Sequence, residues 1–163
     1  MAKPVTNVLP ARSSAACADE LGRRCLRVCS GADRGSAGVC GGGCVFDHCV
    51  RNGIRLYAPA IVLAEVAGAV TRITGDSAMG GVSTTRLSHF PKLYLRQVDL
   101  SLAEAAARVA ARFLLRGADS HYVALARELK CPLITHDDEV IQRCPPTMKV
   151  LRPDKWLDLQ PDR

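Results

Sequence analysis

Short apolar segments alternate with segments of helical periodicity through the second two thirds of this 163-residue chain. The first pair joins a strand over 54–57 to a helix over 61–73, whose apolar residues recur every three or four positions before Gly75. Strands that alternate with helices across short turns are typical of parallel sheets. The sequence therefore predicts an α/β fold, a three-layer α/β/α sandwich with a mainly parallel sheet of four to five strands.

The segment over 75–94 shows no clear periodicity, but regular elements follow it. They are expected, in chain order, as a strand over 95–100, helices over 102–115 and 120–130, a strand over 131–135, a helical turn over 138–144 and a last strand over 148–152. Ser101 and Glu104 are spaced as a capping box for the first of these helices, and Gly117 is expected to end it. Trp156 is expected to pack the last strand against the body of the domain.

Three acidic residues occur where a parallel sheet gathers its functional groups. Glu65 lies inside an apolar helix, Asp119 at the cap of the next-to-last helix, and Asp137 just beyond a strand. Clustered carboxylates bind Mg²⁺ or Mn²⁺, and such an ion activates water for hydrolysis. Each acid also has a structural interpretation: Asp119 as a helix cap, Glu65 as the partner of Arg72, and Asp137 as a turn residue whose role Asp138 could take. Spacing alone leaves both interpretations open.

Three stretches of the chain together resemble one family. They are YAPAIVLAEVAGAVTRITGD (57–76), LRGADSHYVALARELKCPLITHDDEVIQRCP (115–145) and the closing strand. In their order and spacing they are similar to a PIN domain, specifically to the VapC-type toxins of toxin–antitoxin pairs, over about 46–159.

The resemblance implies a Mg²⁺- or Mn²⁺-dependent endoribonuclease that is a cytoplasmic homodimer and is held in check by a small antitoxin protein. Carried over residue by residue, Glu65, Asp119 and Asp137 are the catalytic, metal-binding acids, with Asp119 contacting the ion most directly. Thr135 is implied as a supporting hydrogen-bonding group.

The first third of the chain departs from the family pattern. A remnant strand is expected over 4–9, but Pro10 stands where the family has a metal-binding Asp at the end of its first strand, in a pattern like V-x-D-x-S. The residues over 10–44 are rich in Gly and Cys and show neither helical nor strand period. We therefore divide the chain into an atypical segment, 1–45, and a PIN-like domain, 46–163.

Two hypotheses explain this departure. Either the chain is a degenerate family member with a broken metal site, or the segment over 10–44 comes from a shifted reading frame or a sequence error. The first third offers no convincing substitute for the missing acid among its other aspartates: Asp19, Asp33 and Asp47.

Two alternatives from other functional classes stay open. A zinc-binding module is suggested by six N-terminal residues near zinc-ligand spacing: Cys25, Cys29, Cys40, Cys44, His48 and Cys49. A non-catalytic, PIN-like binding protein is the other alternative, with the helix over 103–115 as a dimer face, although burial of that helix in its own core fits its spacing at least as well.

Charge favours an anionic partner, because 22 basic residues exceed 16 acidic ones and give a net charge of +6. Aromatic residues are 4% of the chain, so base stacking is not expected to be the main device for holding RNA. The scattered basic side chains either line an RNA path or are simply solvated: Arg51, Arg55, Arg72, Arg112, Arg116, Arg127 and Lys130. Without an export signal or a long apolar run, we expect a cytoplasmic protein with reduced thiols and no membrane contact.

Overall fold

Five short strands form one parallel sheet. A computed structural model describes residues 6–8 and 41–160, with side chains from Val45 onward. The strands are β1 (Thr6–Val8), β2 (Arg55–Pro59), β3 (Leu93–Arg96), β4 (Leu133–Ile134) and β5 (Val150–Leu151). Their order in the sheet is β3-β2-β1-β4-β5, and each neighbouring pair runs parallel. The predicted α/β sandwich around a parallel sheet is confirmed.

Seven helices cover the sheet in the described part of the chain. They are α1 (Gly41–Arg51), α2 (Ile61–Thr74), α3 (Ser77–Ser88), α4 (Leu100–Phe113), α5 (Gly117–Glu128), α6 (Asp138–Arg143) and α7 (Pro153–Asp158). Connections between parallel strands are right-handed, so this strand order places α1 to α3 on one face of the sheet and α4 to α6 on the other. Within these layers α2 packs on α3 and α4 on α5, while α1 contacts α7.

The order of the strands reverses between β1 and β4. The chain runs from β1 toward β2 on one side and from β4 toward β5 on the other, and Val8 pairs with Leu133 at the junction. In parallel sheets the crevice beyond the carboxyl ends of such a pair is where ligands bind. The fold therefore places the candidate site beyond the ends of β1 and β4.

Helix α5 is the central element of the core. It contacts β1, β2 and β4, and all five of its residues from Tyr122 to Ala126 are buried. The largest side chains from other elements that are buried with it are Trp156, Leu56, Leu102 and Leu133. Full burial of each aliphatic side chain contributes roughly 1.5–3 kcal/mol. This packing fixes the first turn of α5, which points into the crevice.

The segment over 75–94 contains a helix that the sequence did not predict. Asp76 begins α3 by accepting a hydrogen bond from the Ala78 backbone N–H at 2.8 Å. The helix is rich in Gly, Ser and Thr, so it lacks a continuous apolar stripe. Strand β3 correspondingly starts at Leu93, two residues before the predicted start, and ends at Arg96.

Both predicted ends of the helix at 102–115 are wrong. Asp99, and not a box of Ser101 and Glu104, caps α4, because its Oδ1 accepts from the Leu102 N–H at 2.9 Å. The helix ends with Leu114 in the left-handed conformation at φ 55°, a role usually taken by glycine. Leu102, Ala106 and Val109 are buried in the molecule itself, which agrees with the interpretation of this helix as core.

Trp156, which was expected to pack the last strand against the body of the domain, lies in a helix that the sequence did not predict. It lies in α7, which has Pro153 in its first turn, and its ring meets His48 edge-on at 5.5 Å. Pro at this position favours a helix start, since its missing N–H would be unbonded there anyway. Trp156 therefore packs α7 against α1.

Candidate active site

Asp119 is a buried carboxylate at the start of the central helix, with 2% of its surface exposed. It is the third residue of α5, and the N-cap is Arg116, so the prediction that Asp119 itself caps the helix is wrong. The helix begins three residues earlier than expected, at Gly117. In the first turn, the unpaired backbone N–H groups of the helix favour a negative charge.

Asp137 lies three residues beyond β4, as the sequence predicts, and begins α6. Its Oδ1 accepts hydrogen bonds from the backbone N–H groups of Glu139 at 2.8 Å and Val140 at 3.3 Å. Its own N–H donates to Thr135 Oγ1 at 3.0 Å. Thr135 is fully buried and continues the β4–β5 ladder by donating its N–H to the Leu151 carbonyl at 3.0 Å. These bonds hold Asp137 at the carboxyl edge of the sheet.

Glu65 lies in the middle of α2 and is half-buried. Its Oε2 accepts a hydrogen bond from the Tyr122 hydroxyl at 2.5 Å. Tyr122 is fully buried and stands one helical turn after Asp119, on the same side of α5. Tyr122 is not among the site residues predicted from the sequence, although it follows Asp119 by three residues in the same helix and that spacing could have indicated it.

The three predicted acids share one electrostatic environment. The pKa of Asp119 is raised from 3.8 to about 6, first by burial and then by the negative charges of Asp137 and Glu65. Glu139 adds to the rise, and the Arg116 guanidinium opposes it. Like charges held together disfavour each other's ionised form, so this crevice is suited to a group that brings positive charge.

The chemistry of these donors fits a divalent cation. Mg²⁺ and Mn²⁺ bind carboxylate oxygens and retain water ligands, so an incomplete protein shell is usual for them. Among the residues that the structure describes, no three His, Cys, Asp or Glu side chains are grouped so that they could hold a metal ion by themselves. The three acids share an electrostatic environment without forming a complete ligand set in the described part of the chain.

Arginine side chains pair with the remaining acids at the rim of the crevice. Glu139 is 2.8 Å from Arg143 and 3.9 Å from Arg116, measured between side-chain oxygen and nitrogen atoms. Asp138, the competing candidate for the role of Asp137, is exposed and forms an ion pair with Arg152. Both of these acids therefore have a cationic partner at the rim.

Several sequence predictions fall on residues outside the described part of the chain. They concern the position of Pro10, the aspartates Asp19 and Asp33, and the candidate zinc ligands Cys25, Cys29 and Cys40. Cys44 lies in α1 at a position where the side chain is not described. Burial raises the pKa of Cys131 and of Cys144 to about 11, so both remain thiols at neutral pH.

No described helix is long and apolar enough to cross a bilayer. The family model of the PIN domain matches residues 49–144. This span is more than half of the chain and contains all three carboxylates together with the strands from β2 to β4. No curated protein matches the chain.

Proposed function

The chain belongs to the PIN domain family, and from this premise we propose that it is a metal-dependent endoribonuclease, the toxin of a toxin–antitoxin pair. The family itself suggests a nuclease-type function, and PIN nucleases act on RNA. The observation that carries the proposal is the buried carboxylate of Asp119, whose pKa is raised by Asp137 and Glu65 beyond the ends of the central strands.

The raised pKa of Asp119 means that ionising this side chain in the folded protein costs stability. Asp119 is withdrawn from water, and its largest electrostatic neighbours are two further carboxylates. The Arg116 guanidinium lowers the pKa, but burial and the two carboxylates outweigh it. A perturbed carboxylate in a crevice is typical of a functional site.

Each of the three acids has a role in this proposal. Asp119, Glu65 and Asp137 would hold Mg²⁺ or Mn²⁺. When bound there, the ion would supply activation of a water and stabilisation of the leaving oxygen of the phosphodiester. Tyr122 is a positioning residue, because its hydroxyl fixes one oxygen of Glu65. The first turn of α6 fixes one oxygen of Asp137 and leaves the other available.

The partners and the domain division remain proposals as well. We propose an antitoxin protein, a homodimer and a cytoplasmic location on the strength of the VapC-like motifs at 57–76 and 115–145. We keep the boundary between 1–45 and 46–163, and the family match at 49–144 lies wholly in the second part. Reading the coding DNA in its other two frames tests the frameshift hypothesis, which requires an Asp-bearing strand and an amphipathic helix in one of them.

Cleavage of a mixed RNA tests the proposal. Purified protein is incubated with Mg²⁺ or Mn²⁺, or with EDTA, beside Asp119→Asn and a matched control, Asp138→Asn. The proposal requires cutting that depends on the metal, is lost in Asp119→Asn and is retained in Asp138→Asn. A folded protein that does not cut under any condition overturns it and supports the alternative, a non-catalytic PIN-like binding protein. If only Asp138→Asn loses RNA cleavage, Asp138 and not Asp137 is the acid that acts at this edge of the sheet, and Asp119 is not required.

A further inference from the structure

A groove of about 470 Å³ runs between α4 and α5, away from the carboxylates of the candidate active site. Four arginines line it: Arg96, Arg108, Arg112 and Arg127. Its acidic lining residue is Glu128, and the remaining lining is small or apolar. The groove is therefore strongly cationic.

Most of this charge is available to a ligand. Arg96 is the exception, because it forms ion pairs with Asp99 at 2.9 Å and Glu128 at 3.5 Å. Arg108 is 72% exposed, and its nearest acidic side-chain oxygen, on Glu104, is as far away as 4.0 Å. An exposed ion pair at that distance contributes little binding energy. Arg108 and Arg112 stand four residues apart on one face of α4, so their guanidinium groups form a row along the groove.

An exposed aromatic stack continues the same surface. Tyr94 and Arg96 are two residues apart in β3, so their side chains leave the sheet on the same face. Tyr94 pairs in register with Tyr57, their rings stack at 5.3 Å and 25°, and the Arg55 guanidinium lies 5.7 Å from the Tyr94 ring centre. Tyr94 is 44% exposed. Planar groups thus adjoin the Arg96 end of the groove.

One end of this surface, at Arg96, reaches the edge of the sheet that holds the acidic crevice, and the Tyr94–Arg55 stack lies toward the amino ends of the strands. Arg96 ends β3 and pairs with Pro59, the last residue of β2, while the acids lie beyond β1 and β4. Three strand spacings separate β3 from β4, a distance of about 14 Å. A strand of a few nucleotides can reach from one to the other.

We propose that the groove and the adjoining stack bind single-stranded RNA, with arginines on the phosphates and the Tyr94–Arg55 stack on a base. The identity of the nucleic acid rests on the proposed function. A cationic groove with adjacent planar side chains is how single strands are held without reading their sequence. An acidic protein segment would use the arginines but would gain nothing from an exposed aromatic stack, so the surface favours RNA.

Binding measured without metal tests this proposal independently of catalysis. Fluorescence anisotropy follows a labelled single-stranded RNA of about 20 nucleotides titrated with the full-length protein in EDTA. The variants are Arg108→Gln/Arg112→Gln in the groove, Tyr94→Ala in the stack, and Arg51→Gln/Arg86→Gln as a control with the same loss of charge on exposed helical positions of the other face. Circular dichroism checks that each variant is folded.

We expect the groove variant to raise Kd at least tenfold and to reduce the slope of log Kd against log salt by about 1.4. Tyr94→Ala should raise Kd about fivefold or more. The control should stay within about twofold of the original protein. Equal weakening by the groove and control variants overturns the proposal, since it shows binding by overall charge.

The same titration with oligoglutamate separates the two classes of partner. If the groove variant loses oligoglutamate but keeps RNA, the groove accepts an acidic protein segment and the proposal is wrong. A protein that binds RNA through the groove but does not cut it with metal contradicts the proposed nuclease and leaves this inference standing.

Discussion

The Tyr122 hydroxyl donates a hydrogen bond to Glu65 Oε2 at 2.5 Å and joins two helices from opposite faces of the sheet. Such a bond can form only past the carboxyl edge, where the chain reverses its strand order between β1 and β4. It therefore links the two layers at the crevice and fixes the one candidate acid that lies in the middle of a helix.

Tyr122→Phe removes this bond without changing the core volume. Hydrogen bonds to charged groups contribute about 1.5–3 kcal/mol, so the free energy of unfolding should fall by that amount. If Tyr122 positions Glu65, we also expect the Mn²⁺ concentration for half-maximal RNA cleavage to rise about tenfold or more in this variant. Urea unfolding and a metal titration measure the two effects. Ser88→Ala, which removes an exposed hydroxyl from α3, is the control, and an unchanged metal requirement in Tyr122→Phe contradicts the role.

Asp119→Asn should stabilise the metal-free protein at neutral pH. Because the folded-state pKa of about 6 lies above the ordinary 3.8, the stability linked to Asp119 is fully present below pH 3.8 and is lost as pH rises through about 6. The variant should gain about 3 kcal/mol over the original protein at pH 7 and less than about 1 kcal/mol at pH 4. Urea unfolding in EDTA at both pH values measures this. A variant less stable than the original protein at pH 7 would refute the electrostatic account of the site.

Two adjacent glycines of α3 should respond oppositely to the same substitution. A Cβ on Gly80 would lie 2.4 Å from Thr71 Oγ1 and 2.9 Å from the Ala67 carbonyl oxygen, so Gly80→Ala must push α3 away from α2. We expect a loss of about 1–3 kcal/mol in unfolding free energy. A Cβ on Gly81 meets nothing within 4 Å, so Gly81→Ala should gain up to about 1 kcal/mol. Equal effects in thermal unfolding would show that α3 does not pack as described.

The exposed leucines at the two ends of α4 provide a second paired test. Leu114 is 74% exposed and is held at φ 55°, so Leu114→Gly should relieve backbone strain and stabilise the protein by about 1 kcal/mol. Leu100 is 75% exposed but helical, so Leu100→Gly should destabilise by up to about 1 kcal/mol. Chemical unfolding of both variants measures the signs, and a destabilised Leu114→Gly would show that the leucine side chain has a packing role.

Periodicity was sufficient where an element is apolar and clearly ended. It predicted α2 up to Gly75 and the position of Asp137 just after β4, because both depend on local pattern. It missed α3, because its Gly, Ser and Thr residues form no apolar stripe. Gly80 lies close to Thr71 and Ala67 of α2, and this contact between helices cannot be seen in the local sequence. It also placed a helix end at Gly117, since a left-handed leucine is not readable from sequence.

The relations between side chains depended on topology. The Tyr122–Glu65 bond joins residues far apart in the chain, so nothing in either local sequence indicates it. The chain has few aromatic residues, but its composition cannot show that two of them, Tyr57 and Tyr94, are paired on neighbouring strands with their rings stacked. The electrostatic grouping of the three acids likewise follows from where the strand order reverses.

The outer strands of the sheet bear on how this protein behaves at high concentration. An open strand edge invites further chains to add to it and is a route to aggregation. The β5 edge offers two residues before Pro153 begins a helix, and β3 has Lys92 before it and Arg96 at its end. A short edge and a cationic edge both discourage strand addition, so the fold protects itself from polymerising through its own sheet.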